Sequence, residues 1–194
     1  MFHVAIVGAT GAVGQELIRV LERREFPIAS LRALASARSA GSTISFRGEE
    51  IEVSEANANS FEGTNIAFFS AGATRSRALV PAAREAGALV VDNSSAFRMD
   101  PSVPLVVPEV NPEAMSGDTG LVANPNCVAA ILTVALAPLN RLAPIERLVV
   151  TTFQSASGAG ARAMEDLVRQ TRDQLEGREV VPRVLPHPYA FNLF

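Results

Sequence analysis

The chain has 194 residues, of which 48% are hydrophobic and 19% charged, so it can bury a substantial core. Its net charge of -3 argues against a nucleic-acid surface, and we expect no nucleic-acid partner. One cysteine excludes an internal disulfide, and neither a signal peptide nor an adequate membrane span is visible, so we expect a cytoplasmic protein without a membrane partner.

Apolar runs of strand length alternate with helical patterns, which indicates a mostly parallel sheet with crossover helices. The expected fold class is therefore α/β, a Rossmann-like doubly wound sheet. In chain order, the pattern predicts strands at residues 2–7, 28–35, 66–69, 89–92 and 147–153, a hairpin of 43–46 with 50–53, and helices at 11–24, 74–86, 128–139 and 161–176. Gly87 is placed to end the second helix, whereas residues 101–120 and the tail from residue 181 are expected to be irregular.

A glycine-rich turn, Gly8-Ala9-Thr10-Gly11-Ala12-Val13-Gly14, connects the first predicted strand to the first predicted helix. Its glycines allow a tight turn and let the backbone approach a pyrophosphate at the helix N-terminus. Small residues at these positions also suit close packing of a helix on a strand. In this strand–turn–helix context near residue 1, the turn predicts a dinucleotide site.

The end of the second predicted strand indicates which dinucleotide is bound. NAD sites usually carry an acid there for the ribose hydroxyls, but residues 35–41 contain none. Arg38 can instead pair with a 2′-phosphate, to which Ser36 and Ser39 can donate hydrogen bonds. Arg38 could also be an ordinary surface arginine in a loop. We expect NADP(H) as the cofactor.

Two more turns of small residues follow strands, Ser70-Ala71-Gly72-Ala73 and Asp92-Asn93-Ser94-Ser95. Ligands of doubly wound sheets bind outside the carboxyl ends of the strands, so both turns could line the cofactor crevice. Each could also be a simple turn or a helix N-cap. Arg98, just beyond the second turn, is a candidate clamp for an anion, although an isolated arginine is usually only solvated.

The single cysteine, Cys127, follows Asn124-Pro125-Asn126 and precedes the apolar run 128–139. The Asn-Pro-Asn sequence fits a tight turn, and the alanine-rich run is long enough to be a buried helix. Cys127 would then lie at a helix N-terminus, where unpaired N–H groups and the positive end of the helix dipole stabilise a thiolate. We therefore interpret it as a nucleophile. A lone cysteine can also be a small buried hydrophobic residue.

With these features in place, the chain resembles aspartate-β-semialdehyde dehydrogenase. The Asn-Pro-Asn-Cys and Gln-x-x-Ser-Gly-Ala-Gly blocks are specific, and the matching blocks span nearly the whole chain in the family's order. They are residues 8–14, 36–41, 70–73, 92–98, 124–127, 154–160 and 187–192. The resemblance implies that the doubly wound sheet is followed by the start of an α+β catalytic and dimerisation domain.

The resemblance also implies a reaction. The Cys127 thiolate would attack the acyl phosphate of aspartyl phosphate, expel phosphate and form an acyl-thioester. Hydride from NADPH would then yield aspartate semialdehyde, a step in the biosynthesis of lysine, threonine, methionine and isoleucine. Aspartyl phosphate, the semialdehyde and phosphate are the implied small-molecule partners, and the full-length enzyme is expected to be a homodimer or a higher homo-oligomer.

Roles for individual residues follow from the matching positions. Cys127 and Gln154 are the candidate catalytic residues, with Gln154 orienting the substrate, while Arg98 and Asn126 would hold the substrate phosphate. Together with the turns described above, the candidate cofactor-binding residues are Gly8, Thr10, Gly11, Ala12, Val13, Ser36, Arg38, Ser39, Ser70, Ala71, Gly72, Asn93, Ser157 and Gly158. We expect an NADP-binding domain at residues 1–126 and the beginning of the catalytic and dimerisation domain at 127–194.

Part of the family's pattern is missing from this chain. The family requires a downstream histidine acid/base and further substrate-binding Arg and Glu residues, whereas here His3 opens a strand and His187 does not match the catalytic position. No cluster of His, Cys and acids has metal-ligand spacing, so we expect no metal. The chain is expected to be a truncated N-terminal portion with exposed apolar residues at 148–153. It should turn over slowly by itself, because positioned acid–base groups contribute about 10²–10⁴-fold.

Three alternatives stay open. N-acetyl-γ-glutamyl-phosphate reductase shares the fold and the thioester chemistry, but it typically has Pro-Gly-Cys where this chain has Pro125-Asn126-Cys127. A short-chain dehydrogenase would need a Tyr-x-x-x-Lys pair, and all 17 basic residues here are arginines. The third alternative is a non-catalytic NADP-binding module, which would not need both Cys127 and Gln154.

Overall fold

A computed structural model describes residues 1–115 and 120–193. Contacts divide the chain into two units, Met1–Val149 and Val150–Phe194, which are described separately. The first unit contains β1 (Phe2–Val7), α1 (Ala12–Arg23), β2 (Ile28–Ala35), β3 (Thr43–Phe46), β4 (Glu49–Glu55), β5 (Ile66–Phe69), α2 (Ala73–Glu85), β6 (Leu89–Asp92), β7 (Leu121–Ala123) and α3 (Cys127–Leu142). The second unit contains α4 (Ala161–Leu175).

The strands form a sheet in the order β3-β4-β2-β1-β5-β6-β7. Among the described strands, β3 and β4 pair antiparallel, and all other neighbours in this sheet are parallel. The chain order reverses at β1, which has β2 on one side and β5 on the other. Loops that leave neighbouring strands in opposite directions open a crevice at their carboxyl ends. The expected α/β doubly wound fold is confirmed.

Strand β1 is buried on both faces and joins two apolar cores. Its successive side chains point to opposite faces of the sheet. Ile6 packs in one core with Ile18 of α1, and Val7 packs in the other with Val80 of α2. Burying a side chain of this size contributes about 1.5–3 kcal/mol, so hydrophobic packing holds both helices on the sheet. Their N-termini consequently lie at the carboxyl ends of β1 and β5.

Most predicted elements are present. The strands at 2–7, 28–35, 66–69 and 89–92 have the expected bounds, and the hairpin forms with a longer second strand. Helices α1, α2 and α4 agree with the predicted helices to within one residue at each end. In the described part of 101–120, the backbone is irregular apart from a 3-10 turn at Pro112–Met115 and an isolated bridge from Leu105 to Ala123. The strand β7 was not predicted, because three residues are too few to show a period.

The predicted strand at residues 147–153 is wrong. These residues belong to no strand of the described structure, and Phe153 is 73% exposed. Alternating hydrophobicity indicates which face a strand would bury, but a strand also needs a neighbour to bond its N–H and C=O groups. Within the described residues no strand provides that edge. The apolar side chains of the segment are exposed, as the sequence predicts.

Helix α3 begins at the cysteine, one residue before the predicted start, and extends three residues beyond the expected end. Its expected burial is wrong, however: within the described structure none of its residues is buried, and Ile131 is 71% exposed. Apolar composition indicates what a helix can bury, whereas burial itself depends on a neighbouring surface. None of the helices in the described ranges is long and apolar enough to cross a membrane.

In the second unit, two buried polar side chains of α4 hold the irregular segment 181–190 on the helix. Asp166 accepts hydrogen bonds from the backbone N–H groups of Arg183 at 3.0 Å and Val184 at 3.2 Å. Oε1 of Gln170 accepts from the backbone N–H of Tyr189 at 2.6 Å. The tail is therefore irregular, as predicted, but its backbone donors are bonded to side chains of the helix.

The carboxylate of Asp166 is stabilised in its charged form. Desolvation by burial is the largest single effect and pushes its pKa up, but the hydrogen bonds to the carboxylate together outweigh it, the largest of them from the backbone N–H of Arg183. The side chains of Arg169 and Gln170 and the N–H of Val184 lower the pKa further, from 3.8 to about 2. Arg169 also pairs with Asp173 at 2.9 Å one turn along the helix.

Candidate active site

The glycine turn after β1 is packed so closely that two of its positions exclude a side chain. Gly8 has a φ of 92°, and a Cβ there would lie 2.6 Å from the carbonyl oxygen of Ser70. A Cβ on Gly14 would lie 2.1 Å from the carbonyl oxygen of Gly8. The backbones of β1, α1 and the turn after β5 therefore meet without intervening side chains. A loop that approaches a pyrophosphate has this requirement.

Helix α1 offers an anion-binding N-terminus at this turn. It begins at Ala12 with Gly11 as the N-cap, and its first turn carries neither a capping side-chain bond nor an acid in the described structure. Thr10, Ala12 and Val13 are exposed. The first N–H groups of a helix lack intrahelical acceptors and carry the positive end of the dipole. The predicted pyrophosphate residues thus lie together in a suitable geometry.

The turn after β2 places a cation at the same edge of the sheet. Ala37–Ser39 form a 3-10 turn in which the N–H of Ser39 donates to the carbonyl oxygen of Ser36 at 2.8 Å. The side chain of Arg38 is exposed. The N–H of Gly8 donates to the carbonyl oxygen of Leu34 at 2.8 Å, so the ends of β1 and β2 are directly adjacent.

Ser70, Ala71 and Gly72 form the turn after β5, on the other side of β1. The N–H of Ser70 donates to the carbonyl oxygen of Val7 at 2.8 Å, which places this turn beside the glycine turn. Gly72 has a φ of 84° and is the N-cap of α2. A second helix N-terminus therefore faces the carboxyl edge of the sheet next to the first.

A buried carboxylate organises the turn after β6. Asp92 is fully buried; Oδ1 accepts from Oγ of Ser76 at 2.7 Å, and Oδ2 accepts from Oγ of Ser94 at 2.8 Å. These bonds connect α2 to the turn that carries Asn93. Sequence reasoning missed this role of Asp92 and predicted that the turn lines the cofactor crevice, or that it is a simple turn or N-cap. The available signal was an acid that directly follows an apolar strand, because a carboxylate at such a position needs hydrogen-bond donors.

Arg98 joins the turn after β6 to the turn before α3. Its Nε donates to the carbonyl oxygen of Asn124 at 2.8 Å, and its Nη2 donates to the carbonyl oxygen of Asn93 at 3.0 Å. The side chains of the two asparagines are also bonded, with Nδ2 of Asn124 donating to Oδ1 of Asn93 at 2.6 Å. Arg98 is half-buried rather than merely solvated. It lies at the sheet edge, bonded to the turn that leads to the cysteine.

Cys127 is the first residue of α3 and is exposed. Asn126 caps the helix, since its Oδ1 accepts from the N–H of Val128 at 3.0 Å. The same oxygen lies 4.0 Å from Sγ of Cys127. A substrate can therefore reach a thiol located where the helix dipole stabilises negative charge. The alternative of a buried hydrophobic cysteine is wrong in this structure.

The other predicted site residues, Gln154, Ser157 and Gly158, lie in the second unit before the start of α4, and all three are exposed. Oγ of Ser157 lies 2.5 Å from Oγ of Ser155 within a 3-10 turn at Ala156–Ala159. The hydroxyl of Tyr189 donates to the carbonyl oxygen of Gln154 at 3.3 Å. The described ranges contain no group of three or more His, Cys, Asp or Glu residues that could hold a metal ion.

The sheet topology and the glycine turn define a Rossmann-type dinucleotide-binding domain. Two family models match the chain: "semialdehyde dehydrogenase, NAD binding domain" over residues 3–117, and "semialdehyde dehydrogenase, dimerisation domain" over residues 136–194. The chain belongs to the semialdehyde dehydrogenase family.

Individual relatives agree with this assignment. The aspartate-semialdehyde dehydrogenase of Synechocystis sp. is 53% identical over 192 residues, which cover 99% of this chain and 57% of the relative. The crystal structure of aspartate semialdehyde dehydrogenase II from Vibrio cholerae, complexed with ASA, matches with a TM-score of 0.94 and 44% identity over 99% of this chain and 58% of that one. The enzyme from Candida albicans, crystallised with NADP, matches with a TM-score of 0.62 and 27% identity over 75% of this chain and 48% of that one.

The resemblance inferred from the motifs is thereby confirmed. The chain spans somewhat more than half the length of the Synechocystis and Vibrio relatives.

Proposed function

We propose that the protein carrying this chain is an aspartate-semialdehyde dehydrogenase, an enzyme of amino-acid biosynthesis that converts aspartyl phosphate to aspartate semialdehyde and phosphate. The observation that carries the proposal is the exposed thiol of Cys127 at the N-terminus of α3, directly after the helix-capping Asn126. Membership of the semialdehyde dehydrogenase family and the names of the relatives support the substrate class.

The chain's own chemistry centres on Cys127. Its thiolate forms a bond to the carbonyl carbon of aspartyl phosphate, and the carbon–oxygen bond to phosphate breaks, so that phosphate leaves with the electron pair. An acyl-thioester remains on the sulfur. Addition of hydride to its carbonyl and breakage of the carbon–sulfur bond release the aldehyde and return the thiolate. The N-terminus of α3 stabilises the sulfur anion before the first step and after the last.

Three polar side chains have substrate roles in this proposal. Arg98 and Asn126 hold the phosphate group, a task suited to a guanidinium fork and an amide. Because phosphate oxygens accept hydrogen bonds, Nδ2 is the group of Asn126 that would meet one, while its Oδ1 caps the helix. Gln154, in the second unit, orients the substrate at the thioester carbonyl.

The residues along the carboxyl edge of the sheet fit NADP(H), which supplies the hydride when bound. The close backbone packing at Gly8 and Gly14 and the N-terminus of α1 suit a pyrophosphate. Arg38, exposed on the turn after β2, suits a 2′-phosphate, and no acid lies at residues 35–41. The proposed cofactor-binding residues of the first unit are Gly8, Thr10, Gly11, Ala12, Val13, Ser36, Arg38, Ser39, Ser70, Ala71, Gly72 and Asn93, and the family resemblance adds Ser157 and Gly158 of the second unit. The Candida relative crystallised with NADP supports this choice.

The domain boundary and the assembly are proposed as well. We place the boundary between cofactor and catalytic domains at residues 126 and 127; the family models leave residues 118–135 unmatched, and contacts separate the units after Val149. A homodimer or higher homo-oligomer is supported by the match to a dimerisation domain. Slow turnover of these 194 residues by themselves stays a prediction.

The experiment uses the protein expressed from its whole gene. NADPH formation at 340 nm is followed with aspartate semialdehyde and phosphate, in the wild type and in Cys127→Ala. We expect phosphate-dependent NADP reduction that falls by about 10³-fold or more in the variant, the scale seen when a covalent nucleophile is removed.

Thr133→Ala provides a matched control on the same helix. Thr133 is exposed and lies six residues beyond Cys127, where its hydroxyl donates to the carbonyl oxygen of Ala129, and its removal should change activity less than twofold. Activity with N-acetyl-γ-glutamyl semialdehyde instead would assign the reductase alternative. No reduction with either aldehyde, or activity that survives loss of Cys127, would contradict the proposal.

A further inference from the structure

Asn124 lies at the centre of a closed set of hydrogen bonds between two turns of the first unit. Its N–H donates to the carbonyl oxygen of Asp92 at 2.8 Å, and its Nδ2 donates to Oδ1 of Asn93 at 2.6 Å. Its carbonyl oxygen accepts from Nε of Arg98 at 2.8 Å, and Nη2 of Arg98 closes the ring on the carbonyl oxygen of Asn93 at 3.0 Å. Every polar group of Asn124 except its own Oδ1 takes part.

The ring determines which edge of the Arg98 guanidinium is presented to a ligand. A guanidinium has a side edge, formed by Nε and Nη2, and an end edge, formed by Nη1 and Nη2, and each can bind two oxygens. Here the side edge is bonded to the two backbone carbonyls. A phosphate would therefore bind to the end edge of the guanidinium. The direction of this edge depends on the positions of the two carbonyl groups, of Asn93 and Asn124, that bind the side edge. The backbone bond from Asn124 to Asp92 holds the two turns together where the strands end, and the bond between the two asparagine side chains is a second connection beyond it.

The same residue lies two positions before Asn126, the N-cap of α3. Asn124 precedes a proline, which restricts its backbone to extended conformations. Pro125 is buried, and Asn126 then caps the helix whose first residue is Cys127. Because only the buried Pro125 lies between Asn124 and the N-cap Asn126, a shift of Asn124 should also shift the first turn of α3. The backbone of Asn124 is therefore bonded to Arg98 and lies three residues before Cys127.

We propose that Asn124 is a positioning residue: its side-chain bond to Asn93 sets the phosphate-binding edge of Arg98 relative to Cys127. This inference rests on the proposed function, in which Arg98 holds phosphate and Cys127 is the nucleophile. A purely structural asparagine would affect stability and leave the affinity for phosphate unchanged. A positioning residue affects the affinity for phosphate specifically.

Asn65 offers a matched control at the opposite end of the sheet, before β5. Its N–H donates to the carbonyl oxygen of His3 at 2.8 Å, its carbonyl oxygen accepts from the N–H of Leu89 at 2.9 Å, and its Oδ1 accepts from the N–H of His3 at 2.8 Å. Like Asn124, it bonds neighbouring segments through both backbone and side chain, but it lies at the amino ends of the strands.

The test measures phosphate binding without requiring turnover. In the protein expressed from the whole gene, iodoacetamide alkylates Cys127, and inorganic phosphate should slow this reaction when it occupies the site. The readouts are the phosphate concentration that gives half-protection and, from turnover, the KM for phosphate against kcat. Asn124→Ala should raise both phosphate constants about tenfold, because a misplaced charge-assisted contact loses much of its strength.

A second variant and the control separate the outcomes. Asn124→Asp keeps the size of the side chain but cannot donate to Oδ1 of Asn93, and it should raise the same constants even if Asn124→Ala does not fold. Asn65→Ala should change them less than twofold. Half-protection that is unchanged within twofold in the folded Asn124 variants, or equally shifted by Asn65→Ala, overturns the inference. Protection by phosphate without any NADP reduction in the wild type overturns the proposed function, whereas NADP reduction in the wild type together with unchanged half-protection in the Asn124 variants overturns only this inference.

Discussion

Gly14→Ala should reverse the usual effect of replacing a glycine within a helix. In an ordinary helix interior, alanine is more favourable than glycine by about 1 kcal/mol. Here a Cβ at residue 14 would lie 2.1 Å from the carbonyl oxygen of Gly8 and 2.9 Å from the Cα of Ala9. Both neighbours are backbone atoms, so no change of side-chain rotamer relieves the contact.

The size of the expected destabilisation depends on how far the backbone must move to relieve the contact between the new Cβ and the carbonyl oxygen of Gly8. Real Cβ atoms stay at least 3.0 Å from such neighbours, so the start of α1 must move away from the glycine turn. Overpacking that forces a backbone shift costs about 1–3 kcal/mol and occasionally more. Since the clash is severe, we expect it to outweigh the propensity gain and to lower the free energy of unfolding by about 2 kcal/mol. For a domain of this size, the melting temperature should fall by about 4–8 °C.

Urea unfolding followed by circular dichroism measures this loss. Glu16→Ala is the matched control on the same helix: its partner Arg19 is 69% exposed, and such a surface ion pair contributes well under about 1 kcal/mol. Binding of NADP should weaken in Gly14→Ala as well, because the displaced helix start carries the proposed pyrophosphate site. If Gly14→Ala is as stable as the wild type or more so, the close packing argued for this turn is incorrect.

Two other predictions concern charge. Asp166→Asn should destabilise the second unit near neutral pH by about 2 kcal/mol, because one unit of pKa corresponds to about 1.4 kcal/mol and the folded pKa is lowered from 3.8 to about 2. A lowered carboxylate pKa stabilises the fold above the unfolded value, so this contribution should disappear as the pH falls from about 4 to about 2, as measured by urea unfolding at each pH. Arg38→Ala should weaken NADP(H) binding about 10–100-fold in a fluorescence titration and affect NAD(H) far less, since a charge-assisted bond contributes about 1.5–3 kcal/mol.

Each of these predictions has its own control. The stabilities of the wild type and Asp166→Asn should converge at low pH, and a difference that stays constant between pH 7 and pH 2 would exclude the carboxylate as its cause. Arg19→Ala, which removes an exposed arginine from α1, should leave the affinities for both cofactors unchanged. Equal losses of NADP and NAD affinity in Arg38→Ala would show that the arginine does not distinguish a 2′-phosphate.

The elements predicted correctly are those whose signal is local. Strands β1, β2, β5 and β6 are short apolar runs bounded by turn residues, and α1, α2 and α4 show a helical period with glycine close to at least one end. The errors concern long-range partners. Residues 147–153 alternate like a strand but have no neighbouring edge in the described structure, and α3 is apolar but exposed.

The candidate site also combines features that the local sequence predicts with features that depend on distant residues. Residue type and spacing identified the glycine turn, Arg38 and Cys127, because a tight turn, a phosphate and a nucleophile each require particular side chains at particular positions. The hydrogen bonds of Asn124 with Asn93 and with Arg98 join residues 31 and 26 positions apart and leave no local pattern.

By itself, the sequence determined the secondary structure of the doubly wound core, the family and the chemical identity of the proposed site residues. Only the tertiary structure decided that Gly14 has no room for a Cβ, that the thiol of Cys127 is exposed, and that the side edge of Arg98 is bonded to two backbone carbonyls. Propensity and period depend on neighbours within a few residues, whereas steric exclusion, exposure and the direction of a guanidinium depend on atoms that folding brings together from distant parts of the chain.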